Sequence, residues 1–427
     1  MFLCLGLALK VNAQKDTSII SFHFQQTLVS QYHPKFHAPY TGENSLLSDE
    51  KTATSLTNTL FFAVRPWKNG LLIVNPEIAG GEGLSGATGV AGFPNGEIFR
   101  VGNPKPTLYL ARLVYEHIFP SRKPVYEYEA DEPNNVRGLF AVDYTKVFGG
   151  RFCLADYFDG NPYSHDPRSQ FLNWTYMSAG AWDYAADTRG YTWGFGVKWK
   201  RKNWMATWAE TLVPKEANAL EMDLNISKAF ASQAEVTHFH SIKGRPGQLQ
   251  ATLFYNKAHM GNYTEALKNG IYPPDVTSTA NYKNHKWGWV LSGAQQIGND
   301  WGGFARISWN DGKNETWAFT EVDRSINIGV QHSKNNSPDA NTLGLGVVVN
   351  GISKDHRAYL AEGGYGFIIG DGQLNYGPES IAELYYRFNF FGNHLQVSPD
   401  YQFVMHPAYN KDRGPVHVFA VRAHIEL

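Results

Sequence analysis

The sequence contains very little cysteine: Cys4 and Cys153 are the only two in 427 residues. Cys4 lies in an apolar leader and is expected to leave with it, so Cys153 would be the only thiol of the mature chain. A mature chain with one thiol cannot form an internal disulfide or a cysteine-based metal cluster.

The sequence also lacks a long apolar run and an excess of one charge. After the leader, no stretch approaches the roughly 18 apolar residues that a membrane-spanning helix needs. The formal net charge is −1, which removes the electrostatic case for nucleic acid. Aromatic residues nevertheless make up 14% of the chain. Many aromatics without net hydrophobicity favour a wall with one apolar and one wet face, although a secreted sugar-binding sandwich or propeller shares this composition.

The first residues read as an export leader. An apolar run from Phe2 to Leu9 precedes Val11 and Ala13, which occupy the small-residue positions of a cleavage site. We predict a signal peptide over residues 1–13 and a single barrel domain over residues 14–427. A basic n-region is missing, as it would be in a leader truncated at its start.

Alternation of apolar and polar residues predicts β-strands along the whole chain. In the last strand, Phe419, Val421 and Ile425 alternate with Arg422 and His424. The pattern indicates an all-β fold, a single antiparallel transmembrane β-barrel of sixteen strands, with eighteen as the alternative. The predicted strands are residues 17–29, 55–65, 71–79, 106–119, 136–158, 189–199, 203–213, 232–242, 248–257, 285–297, 301–311, 316–331, 341–349, 379–390, 394–405 and 416–427.

The links between these strands are short and long in alternation. Short links follow even-numbered strands and are rich in Gly, Asn, Asp or Lys, as tight turns require. Two links break the rule, because 120–135 is long and 312–315 is short. The layout is typical of a bacterial outer-membrane barrel with both chain ends at the short-turn rim and long extracellular loops, some folded into the lumen. Tyr191, Trp199, Trp301 and Trp309 are expected in its interfacial aromatic belts.

Three parts of the chain resemble a known family. They are NPEIAGGEGLSGATGVAGFPNGEIFRVG (75–102), ADYFDGNPYSHDPRSQFLNWTYMSAGAWDYAADTRGYTWG (155–194), and GPESIAELYYRF (377–388) with DYQFVMHPAYNKDRGP (400–415). These stretches are similar to the carbohydrate-selective porins of the OprB type. The resemblance implies a sixteen-stranded barrel of the Gram-negative outer membrane through which sugars diffuse to the periplasm. One departure is the final Leu427, where such barrels usually end in Phe.

Two loops carry the candidate rim and substrate-contacting residues. Sugars need carboxylate and guanidinium partners for their hydroxyls and aromatic faces for their rings, and residues 155–191 offer both. The same residues could instead fasten the loop to itself, and the two interpretations are compatible. A glycine-rich loop over 80–102 lacks the helix and the GKS or GKT ending of a phosphate cradle. The candidates are Glu77, Glu82, Arg100, Asp156, Asp159, His165, Asp166, Arg168, Trp174, Trp182, Asp183, Asp187 and Arg189.

Charged residues in strand interiors are predicted to line the pore, since a ring of fixed charge orients polar solutes. The alternative is a network that stiffens the wall. Residues 353–372 are expected to include a short helix and to enter the lumen as a plug. The pore-lining candidates are Asp143, Arg151, Lys198, Arg306, Glu383, Arg387, Asp400 and Arg422.

Other chemistry is not predicted. Ser164, His165 and Asp166 are adjacent, whereas a catalytic triad is assembled from separate segments, so a turn is the better interpretation. His238 and His240 share one strand face, for which we expect lumen lining rather than metal binding. We predict no catalytic residue, no metal and no cofactor.

The sequence therefore predicts a passive carbohydrate-selective porin. A general porin is the first alternative, and an outer-membrane barrel enzyme or a secreted sugar-binding β protein is the next. The expected partners are outer-membrane lipid and small carbohydrates, without nucleic acid, and a homotrimer is the candidate assembly.

Overall fold

The protein is described from a computed structural model, which covers residues 18–98 and 104–427. The predicted signal peptide over residues 1–13, with Cys4, and the rim candidate Arg100 lie outside the described residues.

Sixteen antiparallel strands close into a barrel, in which the first strand pairs with both the second and the last. The predicted fold class and strand number are confirmed. Two further strands form a separate hairpin. The strands are β1 Ile20–Tyr32, β2 Ala53–Val64, β3 Gly70–Gly81, β4 Thr107–Pro120, β5 Tyr126–Glu129, β6 Gly138–Ala141, β7 Tyr144–Phe152, β8 Thr192–Arg201, β9 Trp204–Thr211, β10 Phe230–Ile242, β11 Arg245–Lys257, β12 His285–Gln296, β13 Trp301–Asn310, β14 Arg324–Ser333, β15 Thr342–Gly351, β16 Glu379–Phe390, β17 Leu395–Met405 and β18 Val416–Glu426.

Two strand predictions were wrong at their boundaries. The predicted strand 136–158 merges β6 with β7 and runs past the end of β7 at Phe152. The predicted strand 316–331 begins only at Arg324, because residues before it bend into a loop that Asp183 binds through the Trp317 and Ala318 amides. Residues 312–315, which were predicted to be a short link, are thus part of a long loop. Long loops and short turns therefore alternate at this position as well.

The two faces of each strand differ as the alternation predicts. On β14, Ile326 and Ile328 are exposed on the outer face, whereas Ser325 and Asn327 are buried on the inner face. Outward residues of the other strands are also mainly apolar, which is the pattern of a wall that faces hydrocarbon. The described residues contain no helix that combines the length and the apolar character needed to span a membrane.

Short helices lie in the long loops. They are α1 Trp174–Met177, α2 Tyr263–Lys268 and α3 Lys354–Ala361, with 3-10 turns at Leu84–Gly86, Leu154–Asp156, Val276–Thr279 and Pro407–Tyr409. A further 3-10 turn, Lys334–Asn336, lies in the link between β14 and β15 at the short-turn rim. The helix expected within 353–372 is α3, whose first turn is capped by the Ser353 hydroxyl accepting from the His356 amide at 3.0 Å. The His356 ring stacks on Tyr263 of α2 at 4.4 Å, so α2 and α3 pack together at the long-loop end.

The hydrophobic core lies inside the barrel. Phe171 and Tyr176, from the loop between β7 and β8, stack at 4.8 Å. Phe171 also contacts Phe304 and Tyr385 on the inner faces of β13 and β16, at 5.6 and 5.0 Å. We call residues 153–191 the inserted loop, because they cross the lumen from β7 to these strands.

The hairpin of β5 and β6 lies at the opposite, short-turn rim. It occupies the link between β4 and β7, which pair directly with each other in the wall. The long link predicted at 120–135 is therefore a real exception to the short-turn rule, and residues 121–143 contain a small sheet of their own.

Candidate functional site

Arginines of the barrel wall bind the inserted loop. Arg306 of β13 donates from Nε to Asp159 at 2.9 Å and from its terminal nitrogens to the Tyr176 and Ser164 carbonyls at 2.9 and 2.5 Å. Its side chain is only 1% exposed. A guanidinium carries five donors in a fixed fork, so one side chain satisfies several backbone groups of an irregular loop.

Strands β16 and β18 repeat this arrangement, and β17 between them supports it. Arg422 of β18 donates to the Pro167 and Gln170 carbonyls, each at 2.6 Å. Glu383 of β16 accepts from the Leu172 and Asn173 amides at 2.5 and 3.1 Å. Arg387 donates to the Ser169 carbonyl at 3.3 Å, and Asp400 of β17, also buried, accepts from Gln402 at 3.1 Å.

Five of the pore-lining candidates thus face inward but lie beneath the inserted loop or against its support: Arg306, Glu383, Arg387, Asp400 and Arg422. A solute that passes through the lumen in this conformation would contact the inserted loop rather than these side chains. The structure places them in the network that holds the wall and the loop together.

Several aromatic and acidic candidates of the inserted loop serve the same purpose. Trp182 is fully buried, and Trp174 donates from Nε1 to the Asn95 carbonyl at 2.8 Å. Asp183 accepts from the Trp317 and Ala318 amides, both at 2.8 Å. These side chains fasten loop to loop and do not form an open face for a sugar ring.

The segment Ser164, His165 and Asp166 forms a turn. Asp166 accepts from the Arg168 amide at 3.0 Å and from the Ser169 hydroxyl at 2.6 Å. Burial alone would raise the pKa of the Asp166 carboxyl, but these hydrogen bonds hold it below its ordinary value. The Ser164 hydroxyl donates to the Tyr176 carbonyl at 2.6 Å, and burial lowers the pKa of His165.

Arg168 is the centre of a second polar group, which we call the Arg168 cluster: Gln25, Thr59, Glu77, Glu97 and Arg168. The guanidinium contacts Glu77 of β3 and Glu97 of the following loop, each at 3.1 Å. It also donates to Gln25 of β1 at 3.0 Å and to Thr59 of β2 at 3.1 Å. Burial raises the pKa of Glu97 against the attraction of Arg168. The cluster therefore ties the inserted loop to the first three strands.

A band of arginines and tyrosines continues from this cluster along β4. Arg112 forms a two-point ion pair with Asp156 at 2.6 and 2.8 Å. Arg151 binds Asp187 at 2.6 Å. The Arg189 guanidinium lies 4.1 Å from the Tyr109 ring centre, and both residues are half-buried. The centre of the Tyr191 ring lies 5.4 Å from the Arg112 guanidinium and 5.7 Å from that of Arg151.

Tyr109, Arg112 and the role of Tyr191 were missed by the sequence reasoning. The pairing of β3 with β4 shifts register between Asn75 and Pro76. The residues of β4 that face inward therefore change from odd-numbered to even-numbered positions along the strand. Tyr109 and Arg112 both face the lumen for this reason, although they lie three positions apart in the strand. Tyr191 is buried at the Arg168 cluster, where its hydroxyl donates to Glu77 at 3.3 Å, so its assignment to an interfacial belt was wrong.

Below this band a cavity of about 940 Å³ extends to the short-turn rim. Its walls come from β3, β4, β7, β8 and the hairpin. Arg112 and Asp156 lie at its inner end, and Glu116, Lys146 and Lys198 line its side. Lys198 is the pore-lining candidate that faces open space.

The hairpin covers this cavity with few contacts to the wall. The Asn75 side chain donates to Asn134 at 2.7 Å, and Arg65 donates to the Val136 carbonyl at 2.9 Å. Arg65 also lies 4.7 Å from the Phe140 ring centre. Because Asn75 is on the inner face of β3, the tip of the hairpin reaches into the lumen.

The remaining candidates lie apart from this pathway. Glu82 is exposed beyond the end of β3, and Asp143 accepts from the Lys202 amide at 2.8 Å at the short-turn rim. His238 and His240 share a face, with ring centres 6.1 Å apart. That face is the outer one, since His238 packs on exposed Trp204 at 4.4 Å, so the expected lumen lining was wrong. No group of potential metal ligands occurs in residues 18–98 and 104–427.

Comparison with known proteins gives one family and a set of similar folds. The family model described as "Carbohydrate-selective porin, OprB family" matches residues 51–427. The high pH structure of Pseudomonas putida OprB is 15% identical, covers 99% of this chain and 97% of its own, and has a TM-score of 0.69. The low pH structure of the same protein is 13% identical over 100% and 98% of the chains, with a TM-score of 0.49.

The outer membrane channel DcaP of Acinetobacter baumannii is also similar, at 10% identity over 96% of this chain and 97% of its own, with a TM-score of 0.49. No curated protein matches this chain. At 15% identity, the high pH structure of Pseudomonas putida OprB supports the barrel fold alone.

We predict that Arg168→Met destabilises the protein by about 3–5 kcal/mol, because it leaves Glu77 and Glu97 buried without their counter-ion. The measurement is thermal unfolding in detergent, followed by the gel shift between folded and unfolded barrel. The exposed rim residue Arg122 provides a matched control as Arg122→Met.

The double variant Arg168→Met, Glu77→Gln should recover part of the lost stability, since it removes one of the two buried carboxylates that Arg168→Met leaves without a counter-ion. Equal unfolding temperatures for Arg168→Met and Arg122→Met would contradict a structural role of the Arg168 cluster.

We further predict that deletion of residues 126–141 increases single-channel conductance, because it removes the cover from the cavity. The deletion joins chain ends that are already adjacent, since the Val142 amide donates to the Val125 carbonyl at 2.9 Å. Heat-modifiable migration on gels would establish that the barrel still forms. Conductance no greater than that of the full chain would show that the hairpin does not restrict the path.

Proposed function

Because this chain belongs to the OprB family of carbohydrate-selective porins, we propose that small sugars diffuse through it along β4, between the inserted loop and the wall. The protein is an outer-membrane β-barrel channel of the sugar-selective class. A barrel of sixteen strands is too wide for its own side chains to fill, so a path for solutes depends on what the loops leave open.

The observation that supports this route is the band of Tyr109, Arg112, Asp156 and Arg189 at the inner end of the cavity. Guanidinium and carboxylate groups exchange hydrogen bonds with sugar hydroxyls, and tyrosine faces suit the C–H side of a sugar ring. Arg189 and Tyr109 are half-buried on the long-loop side, and Arg112 with Asp156 borders the cavity. A sugar would pass from the first pair to the second and then into the cavity.

The paired charges favour a neutral polar solute at this band. Each of Arg112 and Arg151 has a carboxylate partner, at 2.6 Å in both cases. A sugar hydroxyl can hydrogen-bond to such an ion pair while both charged partners stay in place, whereas an ion would have to displace one of the partners. This is the physical basis on which we assign sugar preference to the band.

A general porin remains the second candidate, because the wide fold alone permits diffusion of any small solute. The family and the fold are those of a channel, which leaves the barrel enzyme without support from either. Contact with outer-membrane lipid and assembly into a homotrimer stay predictions.

We predict that proteoliposomes containing the protein swell in mono- and disaccharides faster than in amino acids of similar size. Arg189→Met should bring the two rates closer together, since it removes the cation that lies over Tyr109, and Arg122→Met should leave their ratio unchanged. Swelling equal to that of empty liposomes would refute a pore. Equal rates for sugars and amino acids in the unaltered protein would establish the general porin instead.

A further inference from the structure

Two lysines face each other across neighbouring strands in the cavity wall. Lys146 of β7 and Lys198 of β8 are direct partners in the strand register, and both line the cavity. Like charges directly opposite each other destabilise a sheet. The pair therefore requires negative charge nearby.

One carboxylate contacts the lysine pair directly, whereas Glu235 of β10 and Asp156 act on Lys198 only from a distance. Glu116 of β4 binds the Lys146 ammonium at 2.5 Å through one oxygen and accepts from the Tyr157 hydroxyl at 2.9 Å through the other. Both oxygens of Glu116 are thus engaged, and neither is directed to Lys198.

The Lys198 side chain makes no hydrogen bond or ion pair within the described part of the chain. Its ammonium lies 5.3 Å from the centre of the Tyr157 ring, which stacks on Phe148 at 3.8 Å and meets Phe152 edge-on at 5.3 Å. The stack fixes the ring against which Lys198 rests. The ammonium is left as an unpaired cation at the cavity surface.

The cavity as a whole carries an excess of positive charge. Asp156 is committed to Arg112 in a two-point ion pair. Glu129 and Glu116 are the other acidic residues of the lining, so three carboxylates meet five cations. The cations of the lining are Arg65, Lys68, Arg112, Lys146 and Lys198. A concave surface with this imbalance concentrates anions.

We propose that Lys198, with Lys146 beside it, forms an anion subsite in this cavity that binds the carboxylate or phosphate group of an acidic sugar. The proposal rests on the proposed function for the presence of sugars in the channel. It extends that function to sugar acids and sugar phosphates, whose neutral part suits the band at Arg112 and whose charge suits Lys198. An anion here would balance the second lysine as Glu116 balances the first.

The test is binding to the detergent-solubilised full chain, measured by calorimetry with glucuronate, glucose 6-phosphate, glucose and inorganic phosphate as separate probes. We expect glucuronate and glucose 6-phosphate to bind more tightly than glucose. Lys198→Met should weaken the two acidic sugars at least tenfold. Lys198→Arg should retain most of the affinity, and Lys123→Met, at an exposed position on the same rim, should not change it.

The proposed subsite would be overturned if acidic sugars bound the unaltered protein no more tightly than glucose does. It would also be overturned if they bound Lys198→Met as tightly as the unaltered protein. Inorganic phosphate bound as tightly as glucose 6-phosphate, with the same dependence on Lys198, would overturn its assignment to sugars and leave a site for free anions. Because binding is measured without a membrane, failure of glucose-driven swelling would count against the proposed function alone.

Discussion

Hydrogen bonds from wall arginines to loop carbonyls are the interaction on which this structure depends. A barrel of sixteen strands encloses more space than its own side chains can fill, and the backbone that fills it needs partners for its polar groups. Arg306 and Arg422 supply several donors each to carbonyls of the inserted loop, while Glu383 accepts from its amides. Without them the loop would be buried with unsatisfied carbonyls, and the aromatic core of Phe171 and Tyr176 would have no fixed position.

Strand alternation predicted the wall well, because each wall residue faces either the hydrocarbon side or the interior. The prediction failed where a segment does not belong to the wall. Residues 316–323 look like a strand in sequence, but their amides bind Asp183 of the inserted loop, which is far away along the chain. Residues 136–141 belong to a hairpin whose strands face the cavity rather than lipid. Tertiary contacts of this kind leave no periodic signal.

The prediction of functional residues from the sequence was limited for the same reason. Charges such as Arg306 were assigned to the inner face from parity alone, but parity does not reveal that a loop covers them. Tyr109 and Arg112 were missed because the register shift at Asn75 and Pro76 reverses the parity of β4 partway along its length. The loop candidates Asp156, Arg168 and Asp187 were found because the motif concentrates charge, and the structure shows each of them bound to a partner from a different element.

The direct pairing of β4 with β7 gives the hairpin between them an unusual freedom. Strand number and stagger must satisfy the geometry of closure together, so most segments of a barrel cannot change length independently. Residues 126–141 contribute no strand to the closed wall. Their length and sequence can therefore diverge between relatives by insertion and deletion while the cylinder keeps its circumference, which makes this link the place where a new periplasmic specificity could evolve at the least structural cost.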